Sequence, residues 1–351
     1  MERRREPELP SLLQERWDRR WRSSGKVMLI LCGSYVGFME REVLGRQSPL
    51  FGRRTGQILL RPFSHLEAAQ FHPALSLVDR ARTYFVCGGI PYYLRFFSDQ
   101  RSIEMNLAAE LLTEHAALFR EPDFLLREEL REVENYYAVL LAVATGKTSH
   151  QAIARETQIA PQSLHYYLQQ LTELGYLARR YPLAGKTRAA RHVRFDVADP
   201  LLRFWFRFVF PNTSYLQHMG AERALRDRIA PHLEAYFGHC FERLCREALP
   251  VLYRRERVTA AFEIGEFWSK DVQIDVVGLR DDGWTDLGEC KWGEVGSRSM
   301  LTRELEERAR AFPNPRQATI ARRIFTREKP PRATPEGVRW HSLEDLYAPV
   351  Q

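Results

Sequence analysis

Nowhere in the 351 residues does an apolar run approach the length that spans a bilayer, about 20 residues. A membrane-spanning helix is therefore not expected. The charged opening "MERRREPELP" has no apolar segment behind it, which argues against a signal peptide. The five cysteines (Cys32, Cys87, Cys240, Cys245 and Cys290) form an odd, scattered set without paired spacing. Neither a disulfide framework nor a zinc knuckle is expected from them, and a reducing cytoplasm is the simplest setting. Repeats and low-complexity tracts are missing as well. What is there is the composition of a soluble globular chain, 44% hydrophobic and 28% charged, long enough for two or three cores. The net charge of +7 is Arg-rich and locally clustered, which allows a nucleic-acid partner.

Along the chain, Leu9, Leu12, Leu13, Trp17 and Trp21 recur at helical spacing and predict a helix over 9–22. "KVMLILCGS", 26–34, is apolar without alternation and reads as a strand buried on both faces. "GRRTGQILLRPF", 52–63, offers a turn and a short strand. Residues 66–132 read as helical with one break at "CGGIPYYL", where Gly88 and Gly89 stop one helix and Pro91 opens the next. Three helices follow between 134 and 175. Thr148 or Ser149 caps the second, Pro161 opens the third, and Leu164, Leu168, Leu171 and Leu174 form the third's buried stripe. Two strand-like segments, "YLARRYP" and "RHVRFDV", then flank the basic "LAGKTRAA". Three helices and a basic hairpin make a winged helix-turn-helix pattern. "DPLLRFWFRFVFPN", 199–212, reads as an aromatic packing helix. From Pro231 the pattern is a long helix, three strands, a helix near 298–312, a strand near 317–325, and a final strand and helix in "GVRWHSLEDLY".

The chemistry concentrates in "VQIDVVGLRDDGWTDLGECKW", 272–292. Its Asp-Gly turn is a hairpin signal, and a loop centred on Asp282 gives partner numbers that sum to 564. Asp275 then lies opposite Glu289, with Lys291 two residues along on the same face. Like charges facing each other across strands are unfavourable unless something compensates. Lys291 compensates in part. A hard divalent cation such as Mg²⁺ or Mn²⁺ would do so better, holding carboxylate oxygens, charging a bound water and stabilising a phosphate. Glu242, at the edge of the stripe Leu233, Phe237, Phe241, Leu244 and Ala248, is a third candidate ligand. The alternative is a surface hairpin on which Lys291 simply pairs with the two acids.

These residues resemble the PD-(D/E)XK nuclease superfamily: an acid on a first helix (Glu242), an aspartate on a strand (Asp275) and E-x-K on the next (Glu289, Cys290, Lys291). The resemblance covers roughly 231–350. It implies that Glu242, Asp275 and Glu289 hold metal and that Asp275, Glu289 and Lys291 are catalytic. Nuclease folds also serve as inactive binding modules.

On the winged helix-turn-helix pattern, the third helix presents Gln162, Ser163, His165, Tyr166 and Gln169, groups that hydrogen-bond to bases or phosphates. Arg179, Arg180, Lys186, Arg188, Arg191 and Arg194 would contact phosphate and make DNA binding salt-dependent. The alternative is that this module packs against its neighbours and its arginines solvate it.

Nearly the whole chain is similar to the archaeal-type P-loop ATPases that carry a winged helix and a nuclease-like C-terminal domain of unknown function. "LILCGS", "SPLFGRRTGQILLRPF", "GGIPYYL" and "GECKW" carry the likeness. It implies a multidomain α/β and α architecture: an ATPase-core remnant (1–65), a helical lid (66–132), a winged helix (133–198), a linker helix (199–230) and the nuclease-like domain (231–351). Ser34 would be at the sensor position. Arg53 and Arg54 either face a nucleotide on a neighbouring subunit or cap the sheet. The departure is that no G-x-x-x-x-G-K-[ST] run exists; Gly25-Lys26 lacks the earlier glycine, and Val27 replaces the Mg²⁺-holding Ser or Thr. ATP hydrolysis by this polypeptide alone is not expected. A truncated product, a fragment, or half of a split ATPase whose partner chain supplies the P-loop all satisfy the resemblance, as does a homo-oligomer.

Overall fold

The computed structural model of the chain describes residues 8–33, 39, 43, 45–130, 132–184, 193–329 and 337–349. It is a mixed α/β protein that divides into two units, Met1–Arg61 and Pro62–Gln351. No helix among the described residues is long and apolar enough to cross a membrane.

In the first unit, helix Leu9–Arg16 continues through a π turn, Trp17–Trp21, and ends at Gly25, whose φ of 61° reverses the chain. Asp18 and Arg53 pair at 2.7 Å. The strands expected at 26–34 and within 52–63 do not form: the described residues there are neither helix nor strand. Composition alone suits such runs to a buried sheet, but a strand exists only through a ladder to a neighbour. Here Met28 (85% exposed) and Leu60 (87% exposed) face solvent.

The second unit begins with short helices between His65 and Glu129, among them Leu77–Cys87, which stops at Gly88 as expected. Helices α1 (Val133–Ala144), α2 (His150–Thr157) and α3 (Pro161–Glu173) follow. Ser149 caps α2 by accepting the Ala152 N–H. Leu164, Leu168 and Leu171 of α3 are buried, whereas Leu174 is half-buried. Strand β1 (Leu177–Arg180) pairs antiparallel with β2 (Arg194–Val197). The aromatic stretch is helical throughout, as expected, passing from α (Pro200–Phe204) through π (Trp205–Val209) to 3₁₀ (Phe210–Asn212). Its rings pack edge-on against Tyr137 of α1 and Tyr236.

Helix α4 (Ala230–Arg255) buries the expected stripe, including Leu233, Phe237, Phe241, Leu244 and Ala248. Against it lies a five-stranded sheet in the order β3 (Phe262–Trp268), β4 (Gln273–Arg280), β5 (Trp284–Lys291), β6 (Thr319–Thr326), β7 (Val338–His341). The first three strands form an antiparallel meander. Helix α5 (Arg298–Ala311) carries the chain across to β6, which runs parallel to β5 and β7. Helix α6 (Leu343–Tyr347) closes the chain.

Two features bring α4 close to the strands that carry the acids. Gly278 has no side chain where Tyr253 of α4 approaches; a Cβ there would stand 2.1 Å from the tyrosine oxygen. Just past β5, Trp292 is buried among Phe85, Phe237 and Phe241, which pins the end of that strand to the core. At the opposite end of the sheet, buried Arg323 is held by Asp286 (2.6 Å) and Glu256 (2.6 and 2.7 Å). Such a fully partnered buried cation fixes geometry more than it adds stability.

Candidate active site

The hairpin has the register that its Asp-Gly turn predicts. Val276 pairs with Gly288 and Val277 with Leu287. One step beyond these pairs stand Asp275 and Glu289, both buried, at 7% and 2% exposure. Where the β4–β5 pairs end, the Cys290 N–H donates to Asp275 Oδ2 at 3.0 Å. Lys291 turns back onto Glu289, with Nζ 3.0 Å from Oε1.

Burial pushes the Asp275 carboxyl up to about 7, with the charges of Glu242 and Glu289 adding to it. Glu242 on α4 therefore belongs to the electrostatic neighbourhood; its other partner is His239, 3.7 Å away. Burial works against the charge on Lys291, but Glu289 and then Asp275 outweigh it and hold the ammonium above its usual range.

Two arginines completing this cluster were not expected from sequence. Arg308 on α5 donates to Glu289 Oε2. Arg246 on α4 donates to the Asp275 carbonyl oxygen at 2.6 Å and pairs with Glu266 at 3.3 Å. Neither carries a local signal. Arg308 is 19 residues from its partner, across a parallel crossover, among alternating acids and bases that read as a solvated helix face. Arg246 lies one turn beyond Glu242 and shares its side of the helix.

Chemically, the cluster offers two enclosed carboxylates, a third at the rim, a lysine and two arginines. Mg²⁺ ordinarily takes one or two carboxylates from a protein and fills its remaining positions with water and substrate phosphate. Asp275 and Glu289 fit that demand. Burial and the charges of its neighbours raise the proton affinity of Asp275, a cost that a cation would relieve. Among the described residues no group of three His, Cys, Asp or Glu side chains is placed to hold a metal ion, so Glu242 does not join Asp275 and Glu289 as the third ligand expected from sequence.

The residues expected to meet nucleic acid divide into three sets. Gln162, Ser163, His165, Tyr166 and Gln169 lie exposed on α3, and Arg179 is exposed on β1. Arg180 and Arg194 are engaged elsewhere. Arg180 bridges Asp196 (2.7 Å) and Glu266 (2.6 Å), and Arg194 stacks over Trp268 at 4.5 Å. Both guanidinium groups thus serve the junction between the two-stranded and five-stranded sheets, where Leu183 also donates to the Glu266 carbonyl. Lys186, Arg188 and Arg191 lie outside the described residues, as does Ser34. In the first unit, Arg54 donates to Gln57 and Arg53 is held by Asp18.

No solved structure matches the chain. The chain is 28% identical over 279 residues to "Uncharacterized protein MJECL04" of Methanocaldococcus jannaschii, an alignment covering 78% of this chain and 62% of that protein. It thus spans less than two thirds of that relative's length. Residues 205–305, a stretch holding Glu242, Asp275, Glu289 and Lys291, match the family DUF234, described as archaeal and bacterial proteins of unknown function.

Proposed function

We propose that the protein is a DNA-associated phosphodiesterase of the nuclease-like type, working with Mg²⁺ or Mn²⁺. The observation that carries this reading is the buried Asp275 and Glu289 pair at the end of the β4–β5 ladder, with Lys291 folded back onto it. Asp275 and Glu289 would hold the cation, with Glu242 at the rim. When bound, such an ion supplies Lewis acidity toward a phosphoryl oxygen and a water that ionises near neutrality. Lys291, charged at working pH, orients that water or neutralises the phosphate.

Plasmid DNA incubated with the protein and Mg²⁺ should be nicked or linearised, and Asp275→Ala should lower the rate by at least about a hundredfold. Equal cleavage by both proteins, or none by either, refutes the enzymatic reading.

A second reading, a non-enzymatic DNA-binding or regulatory protein, is favoured by the exposed polar face of α3 beside Arg179. A mobility-shift titration separates it from the first. Binding by Asp275→Ala at low salt that weakens steeply as salt rises is the expected result. No shift at low salt excludes a DNA-binding role.

A further inference from the structure

Glu289 is the more enclosed of the two facing carboxylates, yet both its oxygens meet cations, Lys291 on Oε1 and Arg308 on Oε2. Asp275 beside it takes one backbone N–H and has no such pair of cations. Positive charge is thus gathered on Glu289, while negative charge accumulates around Asp275.

Arg323 of β6 and Arg308 of α5, each paired with a buried carboxylate of β5, differ in kind. Arg323 is fully enclosed, and its guanidinium is shared among Asp286, Glu256 and His341. Arg308 is 34% exposed and reaches in from the last turns of α5, with solvent open to it. A partly exposed guanidinium on a flexible arm exchanges partners readily, and its fork fits a phosphate as well as it fits a carboxylate.

We propose that Arg308 is a displaceable counter-ion of the site. It neutralises Glu289 in the cation-free protein and leaves Oε2 when a divalent cation enters between Glu289 and Asp275. It then binds a phosphate oxygen of the substrate. The exchange follows from Coulomb repulsion: a guanidinium and a divalent ion cannot both occupy the same carboxylate oxygen without cost. Lys291 stays on Oε1, so Glu289 is never left uncompensated. This inference rests on the metal-assisted reading above and assigns a role to a residue outside the matched stretch 205–305.

The test is calorimetric titration of the full chain with Mn²⁺, without nucleic acid, for wild type, Arg308→Met, Arg308→Gln, Arg308→Lys and Asp275→Ala. Removing the competing charge should tighten Mn²⁺ binding by about fivefold to thirtyfold in both neutral variants. Arg308→Lys should stay within about twofold of wild type, because it retains the competing charge. Turnover should move the opposite way, with a lower kcat in Arg308→Met and Arg308→Gln despite fuller cation occupancy. Binding that appears only in the neutral variants also supports the proposal.

Mn²⁺ affinity that is unchanged or weaker in both neutral variants overturns it and leaves Arg308 as a structural tie between α5 and the sheet. The metal reading itself is judged separately. It falls if no variant binds Mn²⁺, or if wild type binds and Asp275→Ala binds equally well, and the counter-ion role falls with it. If wild type binds and Asp275→Ala does not, that reading stands and the Arg308 variants alone decide.

Discussion

Replacing Asp275 with asparagine is expected to raise the unfolding temperature at pH 8 and to remove the protein's response to divalent cations. The buried carboxyl is pushed up to about 7 by burial and by Glu242 and Glu289. In the unfolded chain it returns to an ordinary value near 3.8. Between these values the folded protein holds a proton that the unfolded chain has released, so stability falls as pH rises from about 4 to about 7 and stays reduced above. At 1.36 kcal/mol per unit, the proton linkage of Asp275 weakens the folded state by about 2–4 kcal/mol at pH 8. Asparagine has nearly the same shape, accepts the Cys290 N–H and carries no charge. Thermal melts of the two proteins should therefore differ at pH 8 and converge near pH 4. Saturating Mg²⁺ should raise the wild-type midpoint alone. A variant less stable than wild type at every pH would make Asp275 a structural anchor rather than a strained ligand.

The second large effect concerns Asp196 on β2. Its buried carboxylate takes Arg180 at 2.7 Å and Arg243 of α4 at 2.6 Å. Burial alone would raise its pKa, but Arg243, Arg203, His239 and Arg180 more than offset this and hold it well below the usual carboxylate range. Asp196→Ala leaves the half-buried guanidinium groups of Arg180 and Arg243 without their shared anion and should cost about 2–4 kcal/mol. Denaturant unfolding followed by hydrogen exchange would show the loss, with protection falling first in β1, β2 and the facing turn of α4. A cost under about 1 kcal/mol, as for an exposed pair, would mean that the junction is held by apolar packing instead.

The hairpin register was legible because a two-strand pairing with an Asp-Gly turn is a local problem: residue parity decides which side chains share a face. The place of Glu242 near Asp275, though not a ligand role, was legible because an acid at the margin of an apolar stripe lies where helix and sheet part. Arg308 and Arg246 were not, since their partners are brought near only by a parallel crossover and by the docking of α4. Arg180 and Arg194 read as free basic groups because sequence does not record that Leu183 joins the edge of β3. The run at 26–34 was misread for the same reason. Apolar composition states what a segment could bury, while a strand also requires a neighbour at ladder distance.

The docking of Leu183 on Glu266 also bears on self-association. An open β-sheet offers its two outer strands to any passing chain, and natural sheets blunt them with proline, charge and short length. On β3, Pro182 and Leu183 lie against Glu266, and charged Glu263 interrupts the rest of that rim. On the far side β7 is four residues long and carries exposed Arg339. Both rims of an apolar sheet are thereby poor templates for edge-to-edge fibril growth, and it is the junction with the preceding module that blunts the longer one.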